Sequence, residues 1–176
     1  FQSINESDML LIPDADSVFM DPFTEISTAV IICDITDPIT GQRYGKDPRY
    51  TAEKAEAYLK STGIGDTIFF GPEAEFFVFD ELLFDNTGRG AMYQIDSQEG
   101  YWNSGKEGNA GFTIKPKGGY YPAAPVDKLH DLRTQMTLHM QDMGIDVEMH
   151  HHEVASAGQC EIDMRFDTLK VMADKL

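Results

Sequence analysis

Residues 147–161 have the sequence VEMHHHEVASAGQCE, and this stretch decides more of the fold than any other. It predicts a strand over residues 145–154 and a turn of small residues at 155–158. A returning strand over residues 160–166 follows. The stretch therefore predicts an antiparallel hairpin whose two strands carry an unusual number of titratable side chains.

Alternate residues of a strand share a face, and this rule sorts the polar side chains of the hairpin. His151 and Glu153 share one face, and the turn would bring Glu161 back beside Glu153. The opposite face carries three more polar side chains: Glu148, His150 and His152. Three consecutive histidines suggest zinc, but strand neighbours cannot all reach one metal without a bend. Ordinary packing or surface exposure is the better interpretation of His150 and His152. For the two glutamates the alternative is a salt-bridged sheet face.

A second acidic motif, GPEAEFF, occupies residues 71–77. Residues 67–80 predict one long strand or a strand with a bulge, and Glu73 and Glu75, two residues apart, would project from the same face of it. Phenylalanines lie on both sides, and two carboxylates in an apolar setting repel each other unless a cation lies between them. Oxygen ligands suit Mg²⁺ or Mn²⁺. The alternative is a solvated strand face with both acids in water.

The composition argues against several classes of partner. Acidic residues outnumber Lys and Arg 30 to 14, which leaves few cations to pair with the glutamates and disfavours binding to nucleic acid or to an anionic membrane surface. The longest apolar run, residues 29–33, is far shorter than the roughly 20 residues that cross a bilayer. Cys33 and Cys160 form no CxxC pair, so we expect a reducing, cytoplasmic setting. Neither a Walker A pattern nor a GxSxG nucleophile motif occurs.

The first part of the chain predicts a strand, a boundary and a helix. Residues 29–35 are an apolar, β-rich run, and turn-forming residues follow, so we place a domain boundary after residue 44. Asp47 and Pro48 begin a helix, since Asp caps orphan N–H groups and Pro has no N–H to lose. Gly63 ends this helix.

The later part predicts a mixture of strand, loop and helix. Four further elements are expected: a strand at 91–96, a long glycine-rich loop at 99–119, a helix over 126–143 and a helix from 168. The chain begins with Phe1 and ends within the last of these helices. We therefore expect an internal fragment of a longer protein.

The two acidic motifs occur in the same order in a known family. Residues 71–77 resemble its GPExEFF segment, and residues 150–161 resemble its HHHEVAxAGQxE segment. Weaker similarities flank them in the right order: residues 4–9, 28–37, 45–49 and 117–120. On these motifs the chain resembles class I glutamine synthetase of the bacterial type. The resemblance implies an α+β fold, with the end of an N-terminal β-grasp domain over residues 1–44. The first part of a catalytic domain, an antiparallel sheet with helices, would cover residues 45–176.

The resemblance also implies roles for individual residues. Glu75, Glu153 and Glu161 would hold one divalent metal ion near the glutamate substrate, and Glu73 would hold a second ion on the ATP phosphates. Glu148 would contact the nucleotide, and His151 would lie near the transferred phosphate. Tyr120 would help to form the ammonium pocket. The implied cofactors are two Mg²⁺ or Mn²⁺ ions per site, with ATP as co-substrate. Cys160 departs from the family, which most often has asparagine there.

The implied activity is the ATP-dependent ligation of ammonia to L-glutamate, giving L-glutamine through γ-glutamyl phosphate. Parent enzymes of the family form two stacked hexameric rings, and we expect the same homo-oligomer. Two alternatives stay open: a relative that ligates glutamate to an organic amine, and a non-catalytic regulatory paralogue. The other site residues would lie outside this chain, so we expect the isolated fragment to be inactive.

Overall fold

The computed structural model describes residues 8–176. Residues 4–7 of the similarity at 4–9 lie outside the described residues. The chain divides into two compact units. Within the described residues, the first unit comprises 8–72, 143–145 and 165–176, and the second comprises 73–142 and 146–164. The domain boundary after residue 44 stays a prediction.

Short strands and three α-helices make up most of the regular structure of the described residues. In chain order they are β1 (Leu10–Pro13), β2 (Phe19–Met20), β3 (Ala29–Val30), β4 (Cys33–Thr36), α1 (Pro48–Thr62), β5 (Phe69–Phe70), β6 (Glu73–Phe77), β7 (Glu81–Thr87), β8 (Gly90–Asp96), α2 (His130–Asp142), β9 (Val147–His152), β10 (Gln159–Met164), β11 (Asp167–Thr168) and α3 (Leu169–Lys175). No helix within residues 8–176 is both long and apolar enough to span a membrane.

Three antiparallel pairs form the sheets of the first unit: β1 with β4, β2 with β3, and β5 with β11. The single strand predicted over 29–35 is wrong. This stretch is divided into β3 and β4 because the backbone of Ile32 makes hydrogen bonds to residues outside both strand pairs. Its N–H donates to Ser17 Oγ at 2.9 Å, and its carbonyl accepts from the N–H of Asp14 at 2.9 Å.

Helix α1 has the ends that the sequence predicted. The side chain of Asp47 accepts the N–H of Arg49 at 3.0 Å, and Gly63 ends the helix in the left-handed region at φ 71°. The guanidinium group of Arg49 is nearly buried, and it pairs with three carboxylates of the first unit: Asp14, Asp34 and Asp174. These ion pairs connect α1 to the β1–β4 pair and to α3.

The second unit contains a three-stranded antiparallel sheet in the order β6-β10-β9, the hairpin β7–β8, and α2 packed against β9. The strand predicted over 67–80 is also wrong. Gly71 and Pro72 interrupt it, and β5 and β6 join different sheets. Pro72 has no N–H to donate to a strand ladder. Strand β7 went unpredicted because all seven of its residues are exposed, so no buried face imposes an alternating pattern.

Two features of the chain between the strands of this unit bear on the site. Helix α2 begins at His130, later than the predicted residue 126, because the Asp127 side chain accepts the N–H of Leu129 at 3.1 Å in a turn. The loop predicted at 99–119 is present, and its regular structure within the described residues is a 3₁₀ turn at Tyr101–Asn103. This loop and the residue that follows it bring Glu99 and Tyr120 to the strands described next.

Candidate functional site

The two acidic motifs meet in the three-stranded sheet, where β10 lies between β6 and β9. Glu161 of β10 pairs with Glu75 on one side and with His151 on the other. Two residues further along β10, Asp163 pairs with Glu73. Side chains directly opposite each other on neighbouring strands project to the same side of a sheet. These five side chains therefore form one surface, which we call the acidic face.

Glu153 joins the acidic face through the tight turn between β9 and β10. Its N–H donates to the carbonyl of Gln159 at 3.0 Å, and a carboxyl oxygen of Glu153 lies within 4.8 Å of one of Glu161. Gly158 shapes the turn with φ 84°, and a Cβ at this position would lie only 2.4 Å from the carbonyl oxygen of Val78. The turn thus requires glycine, and it places Glu153 beside Glu161 as the hairpin predicted.

Five of the six side chains of the acidic face fall into two groups that could hold a metal ion, and Glu161 belongs to both. One group is His151, Glu153 and Glu161, all buried; the other is Glu73, Glu75 and Glu161, of which the first two are exposed. In each group, one ligand atom per residue lies within 4.8 Å of the others. Carboxylate oxygens in this number fit a hard divalent ion such as Mg²⁺ or Mn²⁺.

The electrostatics of Glu161 also favour a cation. Burial raises the pKa of its carboxyl group to about 8, and the hydrogen bond with Glu153 and the charge of Asp163 act in the same direction. The ionised form is therefore costly unless a positive charge compensates it. A divalent ion at the acidic face would supply that charge, so the donor set and its energetics both fit a metal.

His151 has acidic groups near both ring nitrogens, with Nδ1 3.8 Å from Glu153 Oε1. Its Nδ1 lies 3.1 Å from the carbonyl oxygen of His152, so Nδ1 carries the proton and donates it. Its Nε2 faces the carboxylates, 3.5 Å from Glu161 Oε2 and 3.9 Å from Asp163 Oδ2. A histidine that donates one N–H to a backbone carbonyl presents the other nitrogen as a metal ligand or a proton acceptor.

The other two histidines of the run point away from the acidic face. His152 is fully buried, and His150 is half-buried with its Nδ1 3.3 Å from Nε of the buried Arg133. Arg133 also contacts Cys160, whose thiol pKa is raised by burial. Packing is thus the correct interpretation of His150 and His152, and strand alternation separates them from His151.

Tyr120 and Glu148 differ in how the structure places them. The ring of Tyr120 lies 5.7 Å from the ring of His151, centroid to centroid, and the Tyr120 side chain is exposed. Glu148 is exposed on β9 and belongs to neither ligand group among the described residues. Sequence reasoning missed Tyr121, whose ring is nearer to His151 at 4.7 Å. Its position beside Tyr120 was the available signal.

The fold and the acidic face define an α+β protein with a candidate divalent-metal centre. The beta-Grasp domain model of glutamine synthetase matches residues 1–38, and the catalytic domain model of the same family matches residues 45–176. The chain belongs to the glutamine synthetase family, because the catalytic domain model covers most of its length. The predicted resemblance and fold class are confirmed.

Individual relatives agree with this assignment. A protein of Aquifex aeolicus named glutamine synthetase is 58% identical over 176 residues, which is 100% of this chain and 37% of the relative. A protein of Cupriavidus pinatubonensis named 3-hydroxylaminophenol mutase is 50% identical over 177 residues, 99% of this chain and 38% of the relative. The cryo-EM structure of Plasmodium falciparum glutamine synthetase superposes with a TM-score of 0.81 and 26% identity, covering 98% of this chain and 34% of that chain. The chain thus spans well under half the length of these relatives.

Proposed function

We propose that the full-length protein containing this chain catalyses the ATP-dependent ligation of ammonia to L-glutamate, giving L-glutamine. The observation that carries the proposal is the acidic face, with two ligand groups sharing Glu161 inside the family's catalytic region. Membership in the family alone is a weaker argument, since the similar Cupriavidus protein bears the name of a different activity.

The reaction proceeds in two balanced steps. The side-chain carboxylate of glutamate attacks the γ-phosphorus of ATP, which breaks the bond to ADP and forms γ-glutamyl phosphate. Ammonia then attacks the acyl carbon, loses a proton and displaces inorganic phosphate. Two divalent metal ions, when bound, neutralise the phosphate oxygens, and phosphoryl transfer depends mainly on such positioning and charge compensation.

The proposed roles of this chain's residues are those that the family resemblance implies. Glu75, Glu153 and Glu161 hold one metal ion, and Glu73 holds the second, whereas the ligand groups in the structure place Glu75 with Glu73 and Glu161. In this proposal Glu148 contacts the nucleotide, His151 contacts the transferred phosphate and Tyr120 contacts ammonium. The buried position of His151 between Glu153 and Glu161 supports its role, and so does the nearness of Tyr120.

Four further properties belong to the same proposal. We propose Mg²⁺ or Mn²⁺ as the metal and two stacked hexameric rings as the assembly, with a domain boundary after residue 44. A cytoplasmic location is supported by the two cysteines, which are both free thiols. Each of these follows from the family resemblance or from composition.

The test is glutamate-dependent phosphate release from ATP by the full-length protein with Mg²⁺. Ammonium is compared with a panel of organic amines, and glutamine is measured directly. Glutamine formation with ammonium supports the proposal. Product formation only with an amine would replace ammonia by that amine as acceptor, and no turnover with either would favour a non-catalytic paralogue.

A matched pair of variants links this activity to the acidic face. Glu75→Gln removes one carboxylate charge at nearly constant shape, and we expect it to abolish phosphate release. Glu81→Gln makes the same change on the exposed strand β7 and should leave turnover unchanged. Unchanged turnover in Glu75→Gln would contradict the assignment.

A further inference from the structure

A pair of charged side chains, Glu99 and His152, is buried on the side of β9 opposite to the acidic face. Glu99 is 1% exposed and His152 is 0% exposed, and Oε2 of Glu99 lies 2.8 Å from Nε2 of His152. Glu99 comes from the loop at 99–119, 53 residues earlier in the chain. Charges this deeply buried are found in proteins only when they are paired and hydrogen-bonded.

The hydrogen-bond partners of the His152 ring determine its charge. Its Nδ1 lies 2.8 Å from the carbonyl oxygen of Gly119 and 2.9 Å from that of Glu153. Its Nε2 faces the Glu99 carboxylate. Because both ring nitrogens face groups that only accept hydrogen bonds, each carries a proton, and the imidazole is positively charged.

Glu99 uses its remaining lone pairs on backbone groups. Its Oε2 also accepts the N–H of Gly158 at 2.9 Å, and its Oε1 accepts the N–H of Lys128 at 2.8 Å. One carboxylate therefore ties together the end of β9, the turn before β10 and the segment before α2. Charge-assisted bonds of this kind are about twice as strong as neutral ones.

Three of the four backbone groups that this pair holds lie at or beside the candidate site, and the N–H of Lys128 is the fourth. The carbonyl of Glu153 belongs to a proposed metal ligand, Gly119 precedes Tyr120, and Gly158 precedes Gln159. The packing around the pair is tight, since a Cβ on Gly119 would lie 2.5 Å from the Glu153 carbonyl oxygen and 2.8 Å from the His152 ring. The pair is thus placed to resist the repulsion among the carboxylates on the other side of β9.

We propose that Glu99 is a positioning residue for the metal site, acting through His152 and Gly158 on the backbone that carries Glu153 and Gln159. This inference rests on the proposed metal-dependent function. Glu99 itself belongs to neither ligand group. Without its charge, His152 would lie buried with no counter-charge, and Glu153 would lose its fixed place beside Glu161.

The test compares two isosteric substitutions in the same loop of the full-length protein. Glu99→Gln removes the buried charge and sets an amide N–H₂ against a backbone N–H. Glu107→Gln makes the same change at an exposed position and is the matched control. Mn²⁺ affinity is measured by the electron paramagnetic resonance signal of the free ion, and kcat is measured as a function of Mn²⁺ concentration.

We expect Glu99→Gln to weaken Mn²⁺ binding by about tenfold, the usual scale for groups that support metal ligands. Saturating Mn²⁺ should restore most of the lost kcat, a recovery that damage to the fold alone would not produce. Glu107→Gln should match the wild-type protein. Equal Mn²⁺ affinity in Glu99→Gln and Glu107→Gln would overturn the proposal.

A second variant covers the case in which Glu99→Gln does not fold. His152→Asn keeps a donor near the Gly119 carbonyl and leaves Glu99 with its two backbone partners. Weaker Mn²⁺ binding in this variant supports the proposal, and wild-type affinity overturns it. If the wild-type protein itself neither binds Mn²⁺ nor forms glutamine, the proposed function fails, whereas normal wild-type behaviour with unaffected variants removes only the role of Glu99.

Discussion

The side-chain amide of Gln159 donates from Nε2 to Oε2 of Glu75 at 2.6 Å, across the pair formed by β10 and β6. At its other end, Oε1 of Gln159 accepts the N–H of Ala155 at 2.6 Å. Gln159 is buried and Glu75 is exposed. A buried amide held at both ends therefore fixes the orientation of an exposed carboxylate that is a proposed metal ligand, in the manner of the outer groups that orient ligands in metalloproteins.

Replacing Gln159 by Leu should weaken metal binding without removing any ligand. The apolar side chain leaves Glu75 free to rotate, so we expect the Mn²⁺ dissociation constant to rise by about tenfold. Titration of the full-length protein with Mn²⁺ measures this change. Gln94→Leu, at an exposed position of β8, is the control and should bind as the wild-type protein does. An unaltered dissociation constant in Gln159→Leu would show that the hydrogen bond has no part in metal binding.

The turn at Gly158 should tolerate no side chain. Gly158→Ala incurs the left-handed backbone penalty of about 1–2 kcal/mol and also drives Cβ against the Val78 carbonyl at 2.4 Å. Gly105→Ala, at φ 85° with no atom within 4 Å of its Cβ, incurs the backbone penalty alone. Thermal unfolding of the two variants should show a clearly larger loss for Gly158→Ala. Equal losses would mean that the contact with Val78 relaxes freely.

Metal binding should strengthen as pH rises toward about 8, because burial raises the pKa of Glu161 to about 8. Between its ordinary value of 4.5 and about 8, the metal-free folded protein keeps a proton on Glu161 that the unfolded chain has lost. This group's contribution to folding stability is therefore greatest at low pH and declines as pH rises through that window. A metal ion must displace the proton, so its affinity follows the opposite trend, with at most about a tenfold gain per pH unit.

Calorimetry in buffers of different ionisation enthalpy checks this prediction. Proton release on Mn²⁺ binding should approach one proton per site near pH 6 from this group and disappear above about pH 9. Binding that releases no proton at any pH in this range would contradict the assignment of Glu161 as a buried, protonated ligand.

The parts of the fold that sequence predicted are those set by local rules. The cap at Asp47 and the glycine at 63 define α1 within a few residues, and strand alternation separates His151 from its two neighbours. These local rules do not predict which strands pair when they are far apart in the sequence. The register that makes Glu161 common to both ligand groups joins segments about 84 residues apart, and local periodicity carries no information about it.

Glu99 illustrates the same limit at the site. Its partner His152 is 53 residues away, and an acid in a glycine-rich loop carries no sign of burial in its sequence neighbourhood. Pro72, by contrast, was a visible warning that the strand predicted over 67–80 would break, since it cannot donate to a ladder. The residue types and the closeness of Glu153 to Glu161 followed from local sequence, while the pairing of β10 with β6 and the contacts of Glu99 required the tertiary structure.

The central claim, that the acidic face holds a divalent metal ion needed for turnover, is tested most directly by Glu161→Gln, since Glu161 belongs to both ligand groups. The substitution replaces a carboxyl group that is costly to ionise among other carboxylates by an amide that stays neutral, so the metal-free protein should unfold at the wild-type temperature or above. Mn²⁺ should no longer raise that temperature, and glutamate-dependent phosphate release should be lost. A Glu161→Gln protein that Mn²⁺ stabilises as much as the wild type, with phosphate release intact, would contradict the account.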